Sequence, residues 1–201
     1  LRGSPALSRL NLLIPPEMTP AISGPPPVGM LVKAGGETMG TEWTVSAILP
    51  HGIGKADIAR AALPVFDAII GTLSPWEPDS FISRFNRAAP GTVLPAPRDF
   101  LSVFDTSIAL ARQSGGAFNP LYRCEPNGPI VFERLMALRD EEGQLVQPGG
   151  VMLDLSAAAK GLAVDRLARV VEALGVTSFL AEIGGEFTGR GVKPDGTPWW
   201  V

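Results

Sequence analysis

The sequence predicts an α+β fold, and three observations predict it. Short apolar runs bounded by glycine turns outnumber the stretches with helical spacing. Those runs cluster around tight reversals, at Gly184-Gly185 and at "KPDG", so hairpins dominate. A composition of 45% hydrophobic and 18% charged residues over 201 positions fits one globular domain with a real core.

Each element can be justified in turn. Residues 1–30 carry Pro5, Pro15, Pro16, Pro20, Pro25, Pro26 and Pro27, a density that forbids a helix and favours an extended arm. Within it only "LNLLIPP" is apolar enough to pack on anything. We assign 1–37 to this arm and 38–201 to the folded domain. "TEWTVSAIL" (41–49) alternates as a strand, and "HGIG" turns after it. Ile58, Ala62, Val65, Ile69 and Leu73 follow a helical spacing, with Pro64 predicting a kink or a late start. "SPWEPDS" is a loop, and Ser80 is placed to cap a short helix over "FISRFN". "RAAPGTVLPAPRD" is irregular. Asp99 is expected to cap a helix from Phe100 to Gln113, which Gly115-Gly116 ends.

The centre of "AFNPLYRCEPNGPIVFERL" reads as loop, with a short helix from Val131 to Asp140. "GGVMLDL" reads as a buried strand. Ser156 is expected to cap the next helix, whose buried stripe is Leu167, Val170, Val171 and Leu174 and whose stop is Gly175. "SFLAEI" and "EFTGRGV" form a hairpin, "KPDG" turns, and "TPWWV" starts a further strand. The chain begins at Leu1 and stops inside that strand, so the expectation is a piece of a longer protein.

Several function classes are disfavoured. A net charge of -3 without a Lys/Arg run leaves no electrostatic footprint for nucleic acid. Cys124 is the only cysteine, which rules out an intrachain disulfide and a cysteine-based zinc site. His51 is the only histidine and sits in a turn, where an exposed side chain is the simplest reading. No run approaches the roughly 18 apolar residues of a membrane span.

The chemistry concentrates in "MLDLSAAAKGLAVD" (152–165). Asp154 ends an apolar run, small residues follow, and Lys160 lies one turn into the predicted helix. The first helical turn offers free N–H groups and the positive end of the macrodipole, where phosphate oxygens fit. Small side chains let a ligand approach the backbone, and Lys160 can add a point charge. The plainer alternative has Asp154 capping the helix and Lys160 solvated. Ser156 and Lys160 are four apart, not the three of S-x-x-K, which argues against a serine–lysine nucleophile. "GGEFTGRG" is not a dinucleotide fingerprint, since its glycines sit at a hairpin. "GGAFNP" frees the backbone beside an asparagine. Trp76, on a proline-flanked loop, can either stack on a planar ring or seal the core.

In order along the chain, "TMGTEWTV", "LSPWEPDSFISRFN", "GGAFNP", "LDLSAAAKGLAVD" and "EIGGEFTGRGVKPDGTPWWV" resemble the ApbE family, flavin transferases that move FMN from FAD onto a threonine of a target protein. The resemblance implies an α+β fold, FAD as substrate, Mg²⁺ as cofactor and a partner protein with an acceptor threonine. It also implies roles by position. Met39 and Trp76 would flank the flavin, Trp76 standing where the family usually has tyrosine. Ala117, Phe118 and Asn119 would line the FAD site, with asparagine replacing the family's aspartate. Asp154 and Lys160 would contact FAD, and Ala157 would offer a group, commonly its carbonyl, to Mg²⁺. Asp165 and the strand end Glu182 to Gly185 would support the cleft. The family's further Thr-Ser-Gly stretch, His-Ile-Ile-Asp-Pro motif and Asp/Thr metal pair do not occur in these residues, and the stretch from Pro120 to Val151 is short. The resemblance further implies a periplasmic or membrane-associated protein. A flavin-binding relative without the chemistry is the alternative.

Overall fold

The computed structural model describes residues 27–121, 128, 130–140 and 144–200. Most of the proline-rich arm, Cys124 and Val201 lie outside the described residues. The main sheet is antiparallel throughout, in the order β1-β2-β5-β6, with β1 Leu31–Thr38, β2 Thr41–Ile48, β5 Phe179–Ile183 and β6 Glu186–Arg190. A second sheet pairs β3 Thr92–Leu94 with β4 Leu145–Gln147. The class is α+β, as predicted.

Helices α1 Lys55–Leu73 and α5 Ser156–Ala173 pack on each other and on one face of the main sheet. That face buries Trp43, Val45 and Ala47 from β2 and Phe179, Ala181 and Ile183 from β5. The period of two needed for a one-sided sheet is therefore met in both central strands. The other face is mixed, with Thr44 donating to the Glu182 carboxylate (3.3 Å) across the pair. Trp43 meets Phe66 of α1 at 5.3 Å between ring centroids. A second aromatic group forms where α2 Phe81–Arg87 meets α3 Arg98–Gln113: Phe81 sits edge-on to Phe100 at 4.7 Å, and Phe104 follows at 5.9 Å.

Helix ends follow local chemistry. The Asp57 carboxylate accepts the Gly54 N–H (2.9 Å) at the start of α1. That backbone bond, and then the neighbouring Arg60, hold its carboxyl below the usual aspartate value. The group thus favours the folded state above its unfolded pKa, and this is lost as pH falls through the folded one. Ser74 precedes Pro75, which forces it into extended geometry and stops α1. α1 starts at Lys55 and runs through Pro64 as one helix, not late; Pro64 and Arg60 both sit on the exposed side, where the carbonyl that proline leaves unpaired meets water. Ser80 caps α2 as predicted, its Oγ accepting the Ser83 N–H at 3.1 Å. α3 closes in a Schellman motif, with the Gly116 N–H on the Ala111 carbonyl (2.8 Å) and the Gly115 N–H on that of Arg112 (3.2 Å).

Five expectations need correction. A strand runs over Leu31–Thr38, all of it but Thr38 in the stretch assigned to the arm. Pro97, not Asp99, is the N-cap of α3; Asp99 lies in its first turn, where its charge still suits the dipole, and pairs with Arg166. "GGVMLDL" is not a strand, since 151–155 carry no ladder and are held by side-chain amides instead. Ser156 is the first helical residue of α5 and not its cap; its N–H is accepted by Asp154 Oδ1 at 3.0 Å. Residues 197–200 form no strand: Trp199 is tied by its indole N–H to the Arg190 carbonyl (2.9 Å). The expected helix from Val131 is present as α4 Ile130–Met136, shorter by its last turn.

Candidate functional site

Two hairpin tips lie side by side at one end of the main sheet. The β1–β2 turn is Met39-Gly40, with φ of 51° and 71°; Met39 is the one non-glycine residue at positive φ among the described residues. The β5–β6 turn is Gly184-Gly185, with the Gly184 N–H on the Glu42 carbonyl (3.1 Å). A Cβ at Gly184 would fall 2.7 Å from Thr41 Cγ2, so glycine is required where the tips approach. A two-residue turn with both φ positive normally takes Asn or Gly first. Methionine there stores strain of about 1 to 3 kcal/mol, which the surrounding structure must offset.

Met39 opens onto a cleft of about 460 Å³. Its apolar floor is Ile69, Ile70 and Leu73 of α1, and Trp76 stands on one rim. Ser156 and Lys160, on the first turns of α5, also line it. Trp76 is 80% exposed, so it does not seal the core and is free to stack on a planar group. Its loop is fixed from below: the Trp76 N–H donates to Ser74 Oγ (3.3 Å), and Ser80 Oγ donates to the Ser74 carbonyl (2.6 Å). Trp76→Ala should therefore leave the unfolding free energy from urea melts within about 0.5 kcal/mol of wild type. The same change should weaken binding of a planar ligand by about two- to tenfold, matching 0.5 to 1.5 kcal/mol of ring contact.

Three of the residues singled out in the sequence, Met39, Trp76 and Lys160, are thus brought to one cleft. Asp154 stands just ahead of α5, next to its N-cap Leu155, and its carboxylate accepts the N–H of the first helical residue, Ser156. Its backbone N–H is held by the Pro120 carbonyl at 2.9 Å, which joins the "GGAFNP" loop to this turn. Asp154→Ala should then cost about 1 kcal/mol in urea denaturation through the lost bond to the Ser156 N–H. In the same loop Asn119 Oδ1 accepts the Leu121 N–H (2.8 Å) and Phe118 packs against the core. Ala117, Phe118, Asn119, Asp154 and Ala157 are not among the residues lining the cleft itself. Ser156, in the turn read as a phosphate site, lines it too, as do Ser74 and Glu77, which were not read as site residues. Only the helical spacing of α1 hinted at them, by placing its last turn under the tryptophan loop.

Fold and cleft define a class: an α+β protein with two helices backing an antiparallel sheet, and a site where hairpin tip, aromatic loop and helix N-terminus converge. The family model described as "ApbE family" matches residues 39–124 and 129–201. The chain belongs to the ApbE family. It is 29% identical over 194 residues to "FAD:protein FMN transferase" of Klebsiella pneumoniae (strain 342), covering 83% of this chain and 55% of that one. The protein of the same name from Vibrio cholerae (strain O395) is 28% identical over 192 residues, with coverage of 85% and 58%. The apo form of Pseudomonas stutzeri flavinyl transferase ApbE superposes with a TM-score of 0.72 at 27% identity, over 86% of this chain and 65% of that one. The chain spans little more than half the length of the two named transferases it resembles.

Proposed function

We propose that the protein carrying this chain is an FAD:protein FMN transferase. The observation that carries the reading is the meeting of Met39, Trp76 and Lys160 around one cleft, in a chain that the family model matches over most of its length. In the proposed reaction an acceptor threonine hydroxyl attacks the phosphorus on the FMN side of the FAD pyrophosphate. A new P–O bond forms to the threonine oxygen, the pyrophosphate bridge breaks, AMP leaves, and the hydroxyl proton is released. The α5 N-terminus and Lys160 would hold pyrophosphate oxygens, while Trp76 and Met39 hold the isoalloxazine. The threonine, the AMP and the periplasmic or membrane-associated setting belong to the proposal and rest on the family alone.

Magnesium belongs to it on the same footing, with Ala157 as its candidate contact. When bound, the ion would neutralise charge on the phosphates. The described residues do not fit a complete shell: they hold no group of three or more His, Cys, Asp or Glu able to bind a metal, and Ala157 offers only a backbone carbonyl. A flavin-binding protein without chemistry is the second reading, favoured by Asn119, which spends its side-chain oxygen on its own turn.

Titration of the full-length protein with FAD, followed by flavin fluorescence, tests the site. Saturation at or below tens of micromolar is expected for a cofactor cleft. No binding in that range would sink both readings. Transfer of FMN to an acceptor domain with threonine, and none when that threonine is alanine, separates the enzyme from the binding protein.

A further inference from the structure

Helix α2 is short; its N-terminal end is tied to the loop that carries Trp76 and its C-terminal end to the residue leading into α5. At its N-terminal end, Ser80 Oγ donates to the Ser74 carbonyl at 2.6 Å, and Ser83 Oγ donates to the same oxygen at 3.3 Å. Both bonds hold the loop that carries Trp76. At its C-terminal end the Asn86 amide takes both backbone groups of Leu153. Nδ2 donates to the Leu153 carbonyl at 2.9 Å, and the Leu153 N–H donates to Oδ1 at 2.8 Å. One side chain thereby does what a neighbouring strand would do for a residue without a ladder partner. Buried Gln147 reinforces the joint, its Nε2 donating to the Phe85 carbonyl (2.9 Å) and to that of Val151 (3.2 Å).

Leu153 is followed by Asp154 and by the first turn of α5, which carries Ser156 and Lys160. Asn86 therefore ties that turn, alongside the Pro120 carbonyl on the Asp154 N–H, while Ser80 and Ser83 tie the tryptophan loop. We infer that α2 is a bracket fixing the spacing between the Trp76 loop and the α5 N-terminus, and that Asn86 is a positioning residue for the ligand in the cleft. This rests on the proposed FAD site. The physical requirement is plain: a dinucleotide held at its ring by one wall and at its phosphates by the other binds well only if the walls keep their separation. Asn86 touches neither end of the ligand in this reading and acts only through Leu153.

The test compares FAD dissociation constants with urea midpoints for the full-length protein. Asn86→Ala removes both bonds and is expected to weaken FAD binding about tenfold. Leu138→Ala, in the core after α4 and not among the residues lining the cleft, supplies a control in which stability falls while both Asn86 bonds and the cleft lining keep their side chains. It should bind FAD like wild type while it remains folded. Asn86→Asp keeps the acceptor for the Leu153 N–H but sets a carboxylate oxygen against the Leu153 carbonyl, so its affinity should also fall, and it serves if the alanine variant does not fold. Wild-type affinity in either folded Asn86 variant, with wild-type protein binding FAD, would overturn the bracket and leave the site standing. Equal loss of affinity in Leu138→Ala would also overturn it, by showing that general destabilisation is enough. Absence of FAD binding by wild type would instead remove the site on which the inference rests.

Discussion

Lys160→Ala is expected to weaken FAD binding by roughly tenfold to a hundredfold while the protein stays folded. The lysine sits one turn into α5 and lines the cleft beside Ser156, on the side where helix N–H groups point outward. A charge-assisted hydrogen bond to phosphate is worth roughly 1.5 to 3 kcal/mol, which converts to that range of affinity. The folding side is cheap, because alanine is the better helix former and Lys160 is only half-buried. A phosphate contact carries a second signature. Raising salt should weaken wild-type binding more than binding by the variant, since one screened attraction is already gone. Titrations at two salt concentrations and a urea melt check all three statements. An affinity equal to wild type would mean that the ammonium is solvated and that the helix N-terminus, if anything, holds the phosphates.

How much of this was legible in the sequence depends on what fixes each residue. The helices α3 and α5 could be read because their ends carry their own chemistry, glycines at 115, 116 and 175 in left-handed geometry. β5 could be read because its apolar residues alternate and a Gly-Gly turn follows. β1 could not. Its sequence "LVKAGGET" carries two glycines where a strand reader looks for branched residues, and the reason is tertiary: a Cβ at Gly36 would lie 3.0 Å from the Trp43 indole nitrogen. "GGVMLDL" misled for the opposite reason. Its residues suit a strand, but the pairing is supplied by Asn86, 67 positions away, which no local pattern announces. Within the cleft, Trp76 and Lys160 were legible as chemistry. The positive φ of Met39 was not, since methionine gives no sign of a left-handed turn.

Gly116→Ala is expected to destabilise the fold by roughly 2 to 4 kcal/mol, far more than the same change one residue earlier. Both glycines close α3, and both have positive φ, 60° at Gly115 and 82° at Gly116. Strain at such a position costs an alanine of order 1 to 3 kcal/mol by itself. What separates the two is space. A Cβ at Gly115 meets nothing within 4 Å, whereas one at Gly116 would fall inside the carbonyl of Gly128, whose N–H also donates to the Gly116 carbonyl at 3.3 Å. The clash is with backbone, so no side chain can swing away, and the loss of that bond adds about 1 kcal/mol. Displacement there moves the loop from Ala117 to Pro120, whose last carbonyl holds the Asp154 N–H at the mouth of α5. Gly116→Ala should therefore lower FAD affinity along with the urea midpoint, and Gly115→Ala should shift the midpoint by the smaller strain alone. Urea melts and FAD titrations on both variants read the difference. Equal midpoints for the two would show that the Gly128 segment gives way without cost, and would detach this loop from the stability of the site.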